Sequence, residues 1–469
     1  MITDLWYKNA VFYCLSVSTY MDANGDGVGD FAGLMRRLDY LHGLGVTAIW
    51  LMPFQTSPCR DDGYDISNYY EVDPRYGTLG DFVEFTHAAQ ERGIRVIIDL
   101  VVNHTSNEHS WFKEARRDPK SKYRDWYVWS KKKPRSANQG MVFPGVQKST
   151  WSYDSVARAW YFHRFYDFQP DLNTANLHVQ AEILKIMGFW IQLGVCGFRM
   201  DAVPFVIATK GPQVTKPTEQ FDMLRRLREF LQWRDGDSII LAEANVLPET
   251  DLDYFGDDGA LPGTPVLRYG DELGMGDDLR LPERQCARTP MQWSTEPQAG
   301  FTKSDKPILP VISNGPFGYE HVNAAQQRRD PNSMLNWTER IIRMRKEVPE
   351  VGWGDFQMIQ TRDPAVLAIR YDWRNNSVLT IHNLAGSPRE VSFDVGVTDE
   401  AGSLLVNLLS EDHSRAGPDG KHSLMLEGYA YRWYRVGGLD YLLRRSDIDF
   451  NEYGGRKQHG RKKGGEKGA

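Results

Sequence analysis

Short runs of β-branched and apolar residues alternate with segments of helical periodicity along the first half of the chain. This alternation of strand-like runs and amphipathic helices indicates a parallel sheet with right-handed crossovers. A further run, GTPVLRYGDELG, lies at 263–274. The five strand-like runs before it are VFYCLSV, VTAIWLMP, IRVIIDLVVNH, VCGFRMDAV and SIILAEANV. The pattern predicts an α/β fold.

Two regions depart from this rhythm. Residues 105–172 form an aromatic, Lys-rich insert, and from about residue 362 the apolar positions alternate with polar ones, as in AVLAIRYDW and SVLTIHNL. Alternation of this kind is typical of antiparallel strands with one buried face. We therefore predict an α/β body from 1–104 and 173–350, an inserted domain at 105–172, and a C-terminal antiparallel β domain at 360–440.

Charge adds a further boundary near the end of the chain. The 469 residues carry a net charge of −6, but residues 454–469 hold six Lys or Arg against one Glu, which leaves −11 on the rest. An acidic body argues against nucleic-acid binding. The tail at 450–469 lacks apolar periodicity, so we expect it to be disordered.

Cysteine usage and the N-terminal residues bear on the compartment. The four cysteines lack C-x-x-C spacing, so neither a disulfide framework nor a zinc site is indicated. The start, MITDLWYKNAVFYCLSVS, does not resemble a signal peptide, and no apolar stretch is long enough to cross a membrane. We expect a cytoplasmic protein without membrane contacts.

The segment MDANGDGVGD at 21–30 concentrates oxygen ligands on a tight loop. Asp22, Asn24, Asp26 and Asp30 alternate with glycines, as in the opening of an EF-hand loop, although position twelve is Gly33 rather than Glu. These four side chains, with a carbonyl near Val28, predict a site for Ca²⁺ or Mg²⁺. The alternative is a solvated Asn/Gly/Asp turn.

Polar side chains gather where the predicted strands end. IIDLVVNH ends in Asp99, Asn103 and His104, GFRMDAV ends in Arg199 and Asp201, and IILAEAN ends in Glu243. A single aspartate at a strand end is more often a turn residue. Two carboxylates on neighbouring strand ends suit acid and nucleophile chemistry: Arg199 would hold Asp201 ionised, and Glu243, if less solvated, would keep its proton.

These segments resemble the α-amylase superfamily of glycoside hydrolases and transglycosidases, and within it the oligo-1,6-glucosidase and trehalose synthase group. The resemblance extends from about residue 6 to residue 440. It is carried by DLVVNH (99–104), QPDLN (169–173), GFRMDAV (197–203), LAEAN (241–245) and ARTPMQW (287–293). The family fold is a (β/α)8 TIM barrel with an inserted domain B and a C-terminal β domain.

The resemblance implies roles for individual residues. Asp201 would be the nucleophile and Glu243 the acid/base of a retaining reaction. The implied sugar-binding residues are Asp61, Tyr64, His104, Arg199 and Arg288. Without the family, Tyr64 reads equally well as a packed loop aromatic, and Arg288 nearly as well as a member of a surface ion pair.

Two metal sites are implied in addition. The loop of Asp22, Asn24, Asp26, Val28 and Asp30 matches the subgroup's metal site. Asn103 and Asp171 match a second calcium site of trehalose synthases, but FVIATKG at 205–211 stands where those enzymes often carry another acidic ligand. The second site is therefore left open.

The substrate class also follows from the resemblance. Residues after the nucleophile tend to be valine in α-1,6-specific members, whereas Ala202 points to maltose-like α-glucosides. Hydrolysis of maltose and its isomerisation to trehalose share a glucosyl-enzyme intermediate. The sequence does not decide between them, and it predicts no organic cofactor.

One family region is missing. The Asn-His-Asp tripeptide, whose aspartate stabilises the transition state, does not occur, and EANVLPETDLDYFGDDG leads almost directly to the run at 263–274. At least about 60 residues, two βα units of a ~250-residue barrel, are predicted to be absent near residues 258–261. We expect a TIM barrel lacking about two βα units, impaired in turnover, with an inactive sugar-binding relative or an unstable deletion product as alternatives.

Overall fold

A computed structural model describes residues 5–143, 145–214, 216–246, 264–396 and 403–437. The chain divides into two compact units, residues 1–346 and 347–469. The predicted tail at 450–469 and the predicted junction at 258–261 lie outside the described residues. Within the described residues, no helix is long and apolar enough to span a membrane.

The first unit contains a parallel sheet made from the strand-like runs of the sequence. Its strands are β1 (Phe12–Leu15), β2 (Ala48–Leu51), β5 (Arg95–Leu100), β9 (Gly197–Met200), β10 (Ile239–Ala242) and β11 (Val266–Arg268). Neighbouring strands follow the order β10-β9-β5-β2-β1-β11, and every pairing is parallel. The α/β prediction is confirmed.

Helices separate these strands along the chain. They are α1 (Val17–Tyr20), α2 (Phe31–Arg36), α3 (Leu38–Leu44), α4 (Leu79–Glu91), α5 (Ser110–Arg117), α6 (Leu177–Gln192), α7 (Val203–Ile207) and α8 (Phe221–Arg234). Arg37 interrupts the run FAGLMRRLDYLHGLG and divides it between α2 and α3. Further helices cover Ala324–Gln327 and Met334–Glu347, and 3₁₀ turns cover Trp6–Asn9, Arg124–Trp126, Asp271–Leu273, Glu283–Ala287 and Pro297–Gly300.

Local sequence explains why these helices begin where they do. Thr78 and Asp81 form a capping box at the start of α4, each side chain accepting the backbone N–H of the other. Asp30 caps α2 by accepting from the N–H of Gly33 at 2.6 Å. The helices bury their apolar faces against the sheet, where Phe82, Phe85 and Trp190 are fully buried.

The sheet does not close among the described residues. β10 and β11 each have one strand neighbour and do not pair with each other. In a closed barrel every strand has two neighbours, so these two strands mark the place where barrel units are missing. From β1 through β2, β5 and β9 to β10, each strand pairs with the next strand of the sheet, as consecutive strands of a barrel do. β11 pairs with β1, as the last strand of a barrel pairs with the first. A barrel lacking about two βα units accounts for this order.

The insert and the second unit are antiparallel. In the insert, β6 (Trp129–Ser130), β7 (Trp151–Asp154) and β8 (Ala159–Phe162) form a small sheet. Ahead of the insert, β3 (Gln55–Thr56) pairs with β4 (Asn68–Val72). The second unit holds the short helix Glu350–Trp353. Its strands are β12 (Asp355–Met358), β13 (Val366–Trp373), β14 (Asn376–Asn383), β15 (Arg389–Phe393), β16 (Leu404–Asn407), β17 (Ser414–Arg415), β18 (His422–Leu426) and β19 (Tyr431–Val436). Their antiparallel pairing confirms the predicted C-terminal β domain.

Candidate active site

The candidate site lies at the carboxyl ends of β5, β9 and β10. Met200 pairs with Ala242 across the last register position of β9 and β10, so the next residues, Asp201 and Glu243, emerge side by side. Asp99 pairs with Arg199 across β5 and β9. In barrel enzymes this end of the sheet carries the active site.

Arg199 joins three carboxylates. Its Nη1 atom donates to Oδ1 of Asp99 and to Oδ1 of Asp201, both at 2.6 Å, and its Nη2 atom lies 2.8 Å from Oε2 of Glu243. The backbone N–H of Ala202 also donates to Oε2 of Glu243 at 2.9 Å. One positive charge therefore faces three acidic groups.

The acidic surplus changes the protonation of Asp201. Burial, together with the charges of Asp99 and Glu243, raises the pKa of Asp201 to about 7, and Arg199 offsets only part of this rise. Arg199 favours the ionised form of Asp201, as the sequence-based expectation has it, but burial and the two neighbouring carboxylates outweigh this effect. Burial is the largest cause of the raised pKa, and Asp99 adds to it while sharing the Nη1 atom of Arg199 with Asp201.

The two candidate catalytic carboxylates also differ in solvation, in the sense opposite to the sequence-based expectation. The side chain of Asp201 is 11% exposed and that of Glu243 is 51% exposed. Among the described residues, β10 has no strand on its far side, so nothing described covers Glu243 there. Asp201, beside β5 and β9, is enclosed.

Tyr64 and His104 lie together beside this cluster. The hydroxyl of Tyr64 donates to Oδ2 of Asp99 at 3.3 Å, and Nε2 of His104 donates to the carbonyl of Tyr64 at 3.2 Å. Burial lowers the pKa of His104 to about 4, so the imidazole is neutral at pH 7. The ring N–H on Nε2 is engaged by the Tyr64 carbonyl, and a contact of His104 with a sugar stays a prediction.

Asp61 is held at the same side of the site. Nε2 of Gln169 donates to Oδ2 of Asp61 at 2.8 Å, and Arg284 forms an ion pair with its other oxygen. The guanidinium of Arg284 lies 5.7 Å from the centre of the Tyr64 ring. Burial raises the pKa of Asp61 and Arg284 opposes that shift.

Arg288 forms an ion pair, as the alternative interpretation expected, but not one on the surface. It pairs with Asp62, and the side chains are 12% and 29% exposed, so the ion pair is largely enclosed rather than on the surface. The guanidinium lies 5.8 Å from the centre of the Tyr64 ring. A contact of Arg288 with an acceptor sugar stays a prediction.

Sequence reasoning missed three residues of this cluster as site members: Asp99, Arg284 and Trp50. Asp99 was noted at a strand end but given no role, although it is fully enclosed and accepts from both Arg199 and Nε1 of Trp50. Arg284 precedes the matched ARTPMQW motif by three residues. Its position near this motif was the only sequence signal for Arg284. Trp50 lies within a strand, and nothing in the sequence marks it as a site residue.

The oxygen-rich loop at 22–30 is tied down by its own backbone. Asp22 accepts from the N–H groups of Asn24, Gly25 and Gly27 and from the hydroxyl of Thr302. Asn24 accepts from the N–H of Asp26, and Asp26 accepts from the N–H of Val28. Asp30 accepts from the N–H groups of Ala23 and Gly33.

Close packing explains why this loop needs glycine. A Cβ on Gly27, whose φ is +99°, would lie 2.1 Å from the carbonyl of Lys306. Within the described residues, no group of three or more His, Cys, Asp or Glu side chains is arranged to hold a metal ion. Backbone donors therefore account for these oxygens in the structure, and a Ca²⁺ or Mg²⁺ site at Asp22, Asn24, Asp26, Val28 and Asp30 stays a prediction.

Comparisons with known proteins give the family. Residues 16–260 and 258–354 match the model of the α-amylase catalytic domain. The chain belongs to the α-amylase family of glycoside hydrolases and transglycosidases. Residues 376–435 match the C-terminal domain of sucrose hydrolase-like proteins, within the antiparallel second unit.

Several relatives of this α-amylase family member are named enzymes. The chain is 34% identical to the trehalose synthase of Thermus thermophilus, covering 96% of this chain but only 57% of that enzyme. It is 28% identical to the oligo-1,6-glucosidase of Parageobacillus thermoglucosidasius, covering 81% of this chain and 91% of that enzyme. The trehalulose synthase MutB of Pseudomonas mesoacidophila MX-45 superposes with a TM-score of 0.77 at 26% identity, covering 92% of this chain and 100% of that one.

The same comparisons bear on the missing units. The α-amylase model matches in two pieces that meet at residues 258–260, within the predicted junction. The alignment with the Thermus enzyme extends over 556 positions, 87 more than this chain has residues. At least that many positions of the alignment have no residue in this chain, which exceeds the predicted minimum of about 60 for two βα units.

Proposed function

We propose that this chain is a retaining α-glucosidase or transglucosidase that acts on α-glucosides such as maltose, with isomerisation of maltose to trehalose as one possible outcome. The observation that carries the proposal is the junction of Asp201 and Glu243 through Arg199 at adjacent strand ends. A retaining glycosidase requires two carboxyl groups that flank the scissile bond, one as nucleophile and one as acid/base. The trehalose synthase and oligo-1,6-glucosidase relatives support the substrate class.

The roles within this proposal follow from the contacts. Asp201, when ionised, attacks the anomeric carbon, and Glu243 protonates the departing oxygen and then activates water or the acceptor hydroxyl. Asp61, Tyr64, His104 and Arg199 hold the glucosyl group. Maltose-type linkages are favoured because a small residue, Ala202, follows Asp201 in the chain.

Turnover by this chain is slow in the same proposal. The family's transition-state-stabilising aspartate has no counterpart in the sequence, and the half-exposed Glu243 lacks a described strand beside it. Loss of one preorganised charge-stabilising group typically costs about 10²–10³ in rate.

The experiment compares Asp201→Asn and Glu243→Gln with Asp222→Asn, a control at a carboxylate that is 74% exposed and paired on the surface. We expect the first two variants to abolish glucose release from an aryl α-glucoside and the control to retain it. Added azide should restore turnover to Glu243→Gln with an activated substrate, and not to Asp201→Asn. Unchanged rates in both site variants would remove these roles.

A catalytically inactive sugar-binding relative is the second candidate. The observation that favours it is the ion pair that holds Glu243 against Arg199, away from the role of a free acid. Calorimetric binding of maltose without any glucose or trehalose release would support this candidate. Aggregation and non-cooperative melting would instead indicate an unstable deletion product.

A further inference from the structure

Lys210 lies at the place where the sequence left a second calcium site open. Its Nζ atom is 3.0 Å from Oδ2 of Asp171 and 2.8 Å from Oδ1 of Asn103. It also donates to the carbonyls of Leu172 and Asn103, at 3.1 and 3.3 Å. Four oxygens therefore surround one ammonium group whose side chain is 3% exposed.

This arrangement does not fit a metal ion. Asn103 and Asp171 are the residues that match the family's calcium site, and the lysine ammonium already contacts an oxygen of each. A Ca²⁺ ion needs six to eight oxygen ligands at about 2.3–2.6 Å, and a positive charge among the same ligands would repel it. The chain supplies a covalently attached cation here.

The ammonium joins three segments of the first unit. Asn103 follows β5, Asp171 and Leu172 close the inserted domain, and Lys210 follows α7 after β9. The N–H of Leu172 donates to the carbonyl of Asn103 at 2.8 Å, so the insert and the sheet already share a backbone contact. Lys210 neutralises the Asp171 carboxylate, which is fully buried at this contact.

The chemistry of Lys210 also orients its neighbours. An ammonium can only donate, so the atom of Asn103 that faces Lys210 is the amide oxygen. The amide nitrogen then faces Nδ1 of His104 at 3.3 Å, so that Nδ1 must accept. The ring proton is left on Nε2, which donates to the carbonyl of Tyr64.

We propose that Lys210 is a positioning residue that replaces a metal ion between the insert and the barrel, and that through Asn103 it fixes the tautomer and orientation of His104. The second part rests on the proposed function, in which His104 holds glucose. The first part does not, because it concerns only how the insert is held.

The test begins with Lys210→Ala and a matched control, Lys185→Ala. Lys185 also forms an ion pair at 2.9 Å, with Glu182, but is 70% exposed. We expect Lys210→Ala to lower the melting temperature by roughly 5–10 °C and Lys185→Ala to change it little. Calcium chloride or methylammonium chloride should recover most of the loss, since the cavity keeps four oxygens.

The double variant Lys210→Ala/Asp171→Asn identifies where the added cation acts. A response to calcium that persists in this double variant comes from elsewhere in the chain. Melting of Lys210→Ala at the wild-type temperature, or a loss that neither cation recovers, would overturn the substitution of a metal by Lys210.

Asn103→Asp separates the positioning role from stability. The carboxylate still accepts from Lys210, but it has no N–H for His104. We expect a smaller loss of melting temperature than in Lys210→Ala, because the added carboxylate is buried but lies against the ammonium. Maltose binding should weaken by about tenfold, with the same weakening in Lys210→Ala, recovered by the added cation. Unchanged maltose affinity in Asn103→Asp would overturn the positioning of His104. Failure of the wild-type chain to bind maltose would instead overturn the proposed function and, with it, the positioning of His104 for sugar binding. The melting data would still test whether Lys210 takes the place of a metal ion.

Discussion

Nη1 of Arg199 lies 2.6 Å from Oδ1 of Asp201, the candidate nucleophile, and shares that donor with Asp99. Asp99 thus competes for the charge that would otherwise stabilise ionised Asp201. Burial, with the added charges of Asp99 and Glu243, gives Asp201 a pKa of about 7 instead of one near 4. Catalysis and stability should both depend on pH through this one group.

The first prediction concerns the pH profile of the rate. Only ionised Asp201 can attack, so kcat/KM for an aryl α-glucoside should fall as pH drops below about 7. Asp99→Asn removes one competing carboxylate and should move this acid limb to lower pH. The measurement is kcat/KM from pH 4 to pH 9 in both proteins, with Asp222→Asn as the surface control. An acid limb that stays in place in Asp99→Asn would show that Asp99 does not set the charge state of Asp201.

The second prediction concerns stability. The folded pKa of Asp201 is raised above its unfolded value, so protonated Asp201 favours the folded state and its ionisation opposes it. Stability is therefore fully present below about pH 4 and is lost as pH rises towards 7. Asp201→Asn, which cannot ionise, should be more stable than wild type at pH 8, by on the order of 1–4 kcal/mol, and equal to it at pH 3.5. Urea unfolding at the two pH values measures the difference, and a variant less stable at pH 8 would contradict it.

The third prediction concerns the loop at 22–30. Four oxygen-bearing side chains alternate on this loop, and binding of Ca²⁺ to the folded state alone would stabilise it by about 2.7 kcal/mol at 100 times the Kd. Calcium titration should therefore raise the melting temperature of the wild-type chain more than that of Asp22→Ala/Asp26→Ala. The carboxylates of Asp22 and Asp26 also accept hydrogen bonds from backbone N–H groups of the loop. The double variant loses these bonds, so it should be less stable than wild type even without calcium. Identical calcium responses in the two proteins would remove the metal site.

The fourth prediction concerns the missing βα units. A version of the chain with these units restored regains the Asn-His-Asp region and the strands between β10 and β11. We expect it to turn over maltose at least ~10³-fold faster than this chain and to melt at a higher temperature, since unpaired strand edges favour aggregation. Glucose and trehalose release, melting and oligomer size should be measured for both forms. A monomeric chain that melts cooperatively and reacts comparably fast would mean that the six-stranded site is functional as it stands.

The sequence by itself determined the elements of the first unit and their order. The apolar runs became β1, β2, β5, β9, β10 and β11 because strand and helix periodicities are local properties of the chain. Asp201 and Glu243 could be placed together for the same reason: each follows a buried strand directly, and parallel strands end at one edge. The sequence also predicted the missing βα units, because the chain lacks the Asn-His-Asp motif that they would carry.

Only the tertiary structure decided the charge partners and the solvation of the site. Arg284 contacts Asp61 across 223 positions, and Lys210 contacts Asn103 across 107, which no local pattern encodes. Which of Asp201 and Glu243 is enclosed depends on the strands that flank β9 and β10 in space. The oxygens at 22–30 look the same in sequence whether an ion or the backbone N–H groups occupy them, because both need acceptors on a tight glycine turn. Long-range packing, rather than residue type, sets these outcomes.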